Sequence, residues 1–178
     1  MDINKIVQLR LLKNNHTPPE HSSDYWYEII DINNYESNLD RLLSVSSQME
    51  KEIDWDGIPN TKEKLRKRFI NHSNAQLWIH RDIIIGWCWQ NMNITYDWET
   101  TNHILRPNQY YTGGAFVSKQ LKKTPESSFI FYNFSFSYLL SLEDVDTVYL
   151  YSDSWNRASA QLCYKSGCTN YNFLNETN

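Results

Sequence analysis

Two adjacent lysines precede a segment with the signature of a helix start. Thr124 can cap a helix through its side-chain oxygen, and Pro125 suits the first helical position because its φ is fixed. The N-terminus of such a helix carries unpaired N–H groups and a partial positive charge, to which Lys122 and Lys123 add their own charges. The turn over residues 122–128 is therefore predicted to bind an anion, and a diphosphate would suit its charge.

A second set of polar side chains stands at the start of a later helix. The segment 156–166 is predicted to be helical and is followed by Gly167, which suits the C′ position. Asn156, at the start of this helix, can accept a hydrogen bond from the Ser159 N–H. Such a cap needs no ligand, so the sequence leaves open whether Asn156 also contacts one.

The rest of the chain must position these two helix starts, and its predicted elements are both strands and helices. Arg81-Asp82 is predicted to form a tight hairpin turn, and Gly113-Gly114 a bulge or kink within a strand. The periodicity of apolar and aromatic residues predicts an α/β chain with a mixed sheet. The predicted strands are 25–32, 75–80, 83–92, 110–118, 148–151 and 169–174, and the predicted helices are 35–53, 61–70 and 156–166. Thr61 is predicted to be the N-cap of the second of these helices.

The segment 129–142 fits both a strand and a helix. Its many aromatic residues favour a strand by propensity. Ile130, Phe134 and Tyr138, however, recur at a spacing of four residues, which places them on one face of a helix. Strands rarely exceed about ten residues, so the length of the segment favours a helix.

Composition and charge are those of a globular chain. Of 178 residues, 40% are hydrophobic and 21% are charged, and the net charge of −4 argues against a nucleic-acid partner. No apolar run approaches the roughly 20 residues of a membrane span, and the chain begins without a signal-like segment. The three cysteines form no CxxC pair, which argues against a disulfide framework or a metal site. We therefore expect one soluble, cytoplasmic domain over residues 1–178.

Three neighbouring pieces of the sequence together resemble the GNAT family of acyl-CoA N-acyltransferases, over residues 75–173. The first is the predicted strand 111–118, the second is the turn 121–128, and the third is the strand and helix that end at Gly167. The third piece matches best, with four residues in the family's register and Cys168 in place of its usual Phe: Asn156, Ser159, Lys165 and Gly167. The resemblance implies a GNAT-like mixed, mostly antiparallel twisted sheet flanked by about four helices.

The resemblance also implies an activity, the transfer of an acetyl group from acetyl-CoA to a primary amine. The amine would belong to a small molecule such as an amino sugar or a polyamine, and it would attack the coenzyme A thioester directly. Seven aromatic residues are candidates for lining the acceptor pocket: Trp87, Trp89, Tyr96, Trp98, Tyr110, Tyr111 and Trp155. By the resemblance, the residues that contact the donor are Phe116, Val117 and Ser118 through the backbone, Lys122, Lys123, Thr124 and Ser127 at the diphosphate, and Asn156 and Ser159.

The catalytic groups leave alternatives open. The family's thiolate-protonating tyrosine falls in register on Cys163, and Tyr164 is one residue away. The acid is therefore Tyr164, the Cys163 thiol or another group. A carboxylate is expected as the base that takes the proton of the amine, with Asp153 as the first candidate and Asp97 as the second.

Two other functions remain open beside the transferase. Lys123 and Pro125 stand where the family has glycines that let the backbone approach phosphate, which favours a binding or regulatory module that has lost catalysis. The aromatic surface would alternatively suit an oligomeric interaction domain, and a homodimer is left open. The segment 6–12, or a partner subunit, is expected to complete one edge of the sheet.

Overall fold

The computed structural model describes residues 6–18, 24–52, 59–71, 73–91, 107–118, 125–153 and 156–173. They form an α/β fold with one short 3-10 helix at Lys13–Asn15. The strands are β1 (Ile6–Leu12), β2 (Tyr25–Ile30), β3 (Ser73–His80), β4 (Ile83–Asn91), β5 (Gln109–Val117), β6 (Thr147–Asp153) and β7 (Thr169–Phe173). The α-helices are α1 (Tyr35–Glu52), α2 (Lys62–Ile70), α3 (Pro125–Ser141) and α4 (Arg157–Lys165).

The seven strands form a single sheet in the order β2-β3-β4-β5-β6-β1-β7. Five of the neighbouring pairs are antiparallel, and β5 and β6 are parallel. A parallel pair needs a crossover, and α3 supplies it. The prediction of a mixed, mostly antiparallel sheet with about four helices is confirmed.

The strand β1 lies inside the sheet, between β6 and β7. Leu9 pairs with Leu150 on one side and with Asn170 on the other, and both Leu9 and Leu11 are fully buried. The six predicted strands do not include this segment, which was expected only as one option for completing an edge of the sheet. The structure adds it as a seventh strand, and β7 forms the edge instead.

Local signals in the sequence set the ends of several elements as predicted. The Thr61 side chain accepts a hydrogen bond from the Lys64 N–H at the start of α2. Arg81 and Asp82 have φ values of 47° and 64°, which the tight hairpin turn between β3 and β4 requires. Gly167 has a φ of 94°, the left-handed conformation that ends α4.

The ambiguous segment 129–142 is part of a helix, α3. Phe136 and Leu139 of this helix pack with Leu9, Leu11 and Leu150 on one face of the sheet. The high aromatic content therefore reflects burial against the sheet and not a strand. Within the described part of the chain, no helix is both long enough and apolar enough to cross a membrane.

The opposite face of the sheet is covered by α1 and α2. Leu42 of α1 and Phe69 of α2 pack against Leu77, Trp87 and Trp89. The helices α1 and α2 thus cover the β2–β4 half of one face, while α3 and α4 cover the other face. This arrangement leaves the junction of β5 and β6 as the place where the two halves of the sheet meet.

Candidate active site

The parallel strands β5 and β6 pair for three residues and then separate. The last pair joins Tyr111 to Tyr149, beyond which β5 remains paired with β4 and β6 remains paired with β1. The sheet therefore opens into a crevice between residues 112–117 and 150–153. The helices α3 and α4 follow β5 and β6 in the chain, so they begin near the open end of the crevice. Ligands of open α/β sheets bind at such carboxyl ends of parallel strands.

A bulge in β5 lies at the closed end of the crevice. Trp87 pairs with Phe116 and Trp89 with Gly113, so two steps along β4 match three along β5. The extra residue of a bulge is left out of the hydrogen-bond ladder, and its peptide groups turn away from the partner strand. The structure confirms the bulge predicted at Gly113-Gly114.

Of the three backbone positions predicted to contact the donor, Val117 faces the crevice. The Ser118 N–H donates to the Ile85 carbonyl of β4 at 2.8 Å. Alternate residues of an antiparallel strand point the same way, so the peptide groups of Phe116 also face β4. Val117 therefore directs its own N–H and C=O away from β4 and towards the crevice.

A carboxylate from α1 lies at the end of β5. The hydroxyl of Ser118, which is buried, donates to the Glu52 carboxylate at 2.9 Å. This contact ties the last turn of α1 to the open end of the crevice. Glu52 is not among the predicted site residues, because only the docking of α1 on the sheet brings it there.

The first turn of α4 carries two of the predicted donor contacts. The Asn156 side-chain oxygen accepts from the Ser159 N–H at 3.2 Å, which confirms the cap. The Ser159 hydroxyl lies 3.3 Å from the hydroxyl of Tyr132 on α3. Asn156 and Ser159 therefore lie together on the β6 side of the crevice, and a tyrosine from α3 joins them.

The predicted diphosphate turn lies largely outside the described residues. Pro125 is the first residue of α3, as predicted, and Ser127 lies in its first turn, although the Ser127 side chain is not described. Six predicted site residues fall in ranges that the structure leaves undescribed: Lys122, Lys123, Thr124, Asp97, Tyr96 and Trp98. Trp155 is likewise outside the described ranges.

Asp153 is the last residue of β6 and pairs with Ile6 of β1. It follows Tyr149 by four residues, which is about 13 Å along an extended strand. Its backbone thus lies at the open end of the crevice, while the direction of its carboxylate is outside the described structure. In the chain, Asp153 stands three residues before the Asn156 cap of α4.

Neither predicted acid is brought to the crevice. The Tyr164 side chain is 44% exposed, and its hydroxyl donates to the Asn170 side chain of β7 at 2.6 Å. Both β6 and β1 lie between β7 and the crevice. The Cys163 thiol is buried in the core together with Cys168, and their hydrogen bond and burial raise the pKa of Cys168.

The aromatic residues predicted for the acceptor pocket lie mostly in the core. Trp87, Trp89 and Tyr111 are each at most 1% exposed. The Trp89 ring packs edge-on against Phe69 of α2 at 5.3 Å between centroids. Only Tyr110 is half-buried among the four that the structure describes. Packing between sheet and helices accounts for the three buried rings, which therefore offer little surface to an acceptor.

A buried hydroxyl cluster fixes α3 to the start of the bulge. The Ser135 hydroxyl of α3 lies 2.9 Å from the Thr112 hydroxyl and accepts from the Gln90 side chain at 3.4 Å. The Cys88 thiol also donates to Ser135, and burial raises the pKa of Cys88 to about 12, so the thiol keeps its proton. No local pattern in the sequence indicates this cluster, because its members come from three separate elements.

No family model and no curated protein sequence matches the chain. Solved structures do match. A GCN5-related N-acetyltransferase from Kribbella flavida has a TM-score of 0.58 and 8% identity, covering 94% of this chain and 55% of its own. A tandem GNAT protein from the clavulanic acid biosynthesis pathway has a TM-score of 0.63 and 13% identity, covering 97% of this chain and 52% of its own.

A third similar structure has a shorter chain than the first two. It is an aminoglycoside acetyltransferase from an uncultured soil metagenomic sample, in complex with sisomicin, with a TM-score of 0.56 and 11% identity. The match covers 80% of this chain and 87% of that one. This chain spans about half of the length of the first two structures. At these identities the likeness concerns the fold, and the chain has a GNAT-type fold.

Proposed function

We propose that this chain is an N-acyltransferase, which moves an acetyl group from acetyl-CoA to a primary amine of a small molecule such as an amino sugar or a polyamine. The observation that carries this proposal is the crevice between β5 and β6, with a bulge at its closed end and two helix starts near its open end. The N-acetyltransferases among the similar structures support the activity, and the aminoglycoside acetyltransferase supports the acceptor class.

The donor would lie in the crevice as an added strand. Its amide-rich pantetheine arm can pair with the N–H and C=O of Val117, which face the gap. Its diphosphate would be held by the N-terminus of α3 and by the lysines before it. In this proposal Val117 is the donor contact on β5, because the peptide groups of Phe116 and Ser118, which were also predicted to contact the donor, face β4 instead. The other donor contacts are Lys122, Lys123, Thr124 and Ser127 around the start of α3, and Asn156 and Ser159 on α4.

The thioester would lie beside the bulge. A peptide N–H that the bulge frees from the ladder can polarise the thioester carbonyl and stabilise the negative charge that develops on its oxygen. The amine then attacks the carbonyl carbon directly, and Asp153 accepts its proton through intervening water. The departing sulfur also needs a proton, which Tyr164 cannot give while its hydroxyl donates to Asn170.

Thermal unfolding with acetyl-CoA, combined with a thiol-release assay, tests this function. A ligand that binds only the folded state stabilises it by about 2.7 kcal/mol at 100 times its Kd, so we expect a clear rise in Tm. We also expect free thiol to appear when amino sugars or polyamines are added. A rise in Tm without thiol release would favour the non-catalytic binding module, which the Tyr164–Asn170 contact also favours. No rise in Tm at millimolar acetyl-CoA would contradict both the transferase and the binding module.

Replacing Val117 with proline should weaken donor binding while the fold is retained. Proline removes the N–H that faces the crevice, and this N–H is not part of the ladder to β4. We expect the rise in Tm with acetyl-CoA to fall by at least half, measured at one donor concentration. Val117→Ala is the matched control, because it keeps the N–H and should keep the rise. Equal rises in the two variants would show that the donor does not pair with this residue.

A further inference from the structure

Tyr132 of α3 lies where the two halves of the sheet separate. Its ring packs beside the core cluster of β1 and β6, and also beside the cluster of β3 and β4 that contains Trp78. Ala115 and Val117, on the β5 wall of the crevice, border the second cluster as well. The Tyr132 ring therefore lies beneath the gap between β5 and β6, on the side of α3 and α4.

The Tyr132 hydroxyl is directed at the first turn of α4. It lies 3.3 Å from the Ser159 hydroxyl, and its ring is 6.0 Å from the Trp78 ring. Burial raises the pKa of Tyr132 to about 12, an effect that the hydrogen bond with Ser159 partly offsets. The hydroxyl therefore keeps its proton at neutral pH.

Cys163 of α4 belongs to the core cluster against which Tyr132 packs. It lies one turn after Ser159 and is 1% exposed. Tyr132 and Ser159 therefore meet where α3 and α4 pack together.

We propose that the Tyr132 hydroxyl is the general acid that protonates the departing thiolate, with Ser159 as its hydrogen-bond partner. The inference rests on the proposed transferase function. As the amine nitrogen bonds to the acyl carbon, the carbon–sulfur bond breaks and its electron pair moves to sulfur. Tyr132 gives its proton to that sulfur, and the phenolate recovers a proton from solvent. The amine gives one proton through water to Asp153, which releases it to solvent, so protons and electrons balance.

The test compares Tyr132→Phe with Tyr138→Phe, a matched control on the same helix. General acid catalysis contributes about 10²–10⁴-fold, so we expect Tyr132→Phe to lower kcat by that factor. Its rise in Tm with acetyl-CoA should stay that of the wild type, because the ring and its packing remain. Tyr138 packs against Tyr27, away from Ser159, and its substitution should leave kcat within about twofold.

The outcomes of this test distinguish the transferase function from the role of Tyr132 as the general acid. A wild type that neither binds acetyl-CoA nor releases thiol overturns the transferase function itself. An active wild type with an unchanged kcat in Tyr132→Phe, or with a loss only in Tyr164→Phe, overturns the role of Tyr132. A fluorinated tyrosine at position 132 keeps the packing and lowers the pKa of the hydroxyl, so it remains informative should Tyr132→Phe fail to fold. We expect it to shift the alkaline decline of kcat to lower pH, and an unchanged profile contradicts the proposal.

Discussion

Replacing Leu9 with aspartate should prevent the chain from reaching its native fold. Leu9 is fully buried in β1, between Leu150 of β6 and Asn170 of β7. An unpaired carboxylate at such a position must be desolvated or protonated, and either costs several kcal/mol in addition to the packing that is lost. Because domains are stable by only about 5–15 kcal/mol, we expect at most a partly folded product, measured by circular dichroism and denaturant unfolding.

The control for Leu9→Asp is Ile83→Asp, at the start of β4. Ile83 is an apolar strand residue like Leu9, but its side chain is 62% exposed. Exposed substitutions usually change the free energy of unfolding by about 0.5 kcal/mol or less. Similar unfolding of the two variants would show that β1 does not lie inside the sheet in solution.

The position of β1 also matters for the crevice. β6 forms one wall of that crevice, and on its other side it pairs with β1 along seven residues. Without β1, the backbone groups on that side of β6 would lose their partners, and Val148 and Leu150 would lose the packing of Leu9 and Leu11. The strand β1 thus supports the β6 wall of the crevice, although the two strands lie far apart in the sequence.

The parts of the fold that the sequence predicted are those with a local cause. The cap at Thr61 and the left-handed Gly167 each depend on residues within a few positions of one another. The insertion of β1 between β6 and β7 has no such cause, because it depends on pairing with residues more than 130 positions away. Periodicity shows that a segment is a strand, but it does not show which strand is its neighbour.

The candidate site likewise combines a local feature that the sequence predicts with a contact between distant elements that it does not predict. The Asn156 cap was predictable from three residues, whereas the contact of Tyr132 with Ser159 depends on how α3 docks against α4. The length of the segment that contains Tyr132 favoured a helix, but the sequence could not show how that helix docks against α4, so it could not place the hydroxyl. Tyr164 was selected by its closeness in sequence to the family's position, but one residue along a helix turns a side chain by about 100°.

Replacing Gly113 with alanine should distort the bulge and lower both stability and acyl transfer. A Cβ atom at this position would overlap the Tyr111 hydroxyl oxygen and would lie 2.5 Å from the ring carbon that bears it. Tyr111 is 1% exposed, so its ring has no free space to move into. Overpacking of this kind costs about 1–3 kcal/mol, and a shift of the bulge would misplace the peptide N–H proposed to polarise the thioester.

A double-mutant cycle identifies the contact responsible. Tyr111→Leu removes the two atoms that the new Cβ would meet, so Gly113→Ala should be much less costly in that background. We expect a coupling free energy of about 0.5–3 kcal/mol by denaturant unfolding, since the two side chains would occupy the same space. Transfer activity should recover in part with the relaxed bulge. Strict additivity of the two substitutions would mean that Gly113 is needed for its backbone conformation and not for the space that the Tyr111 ring fills.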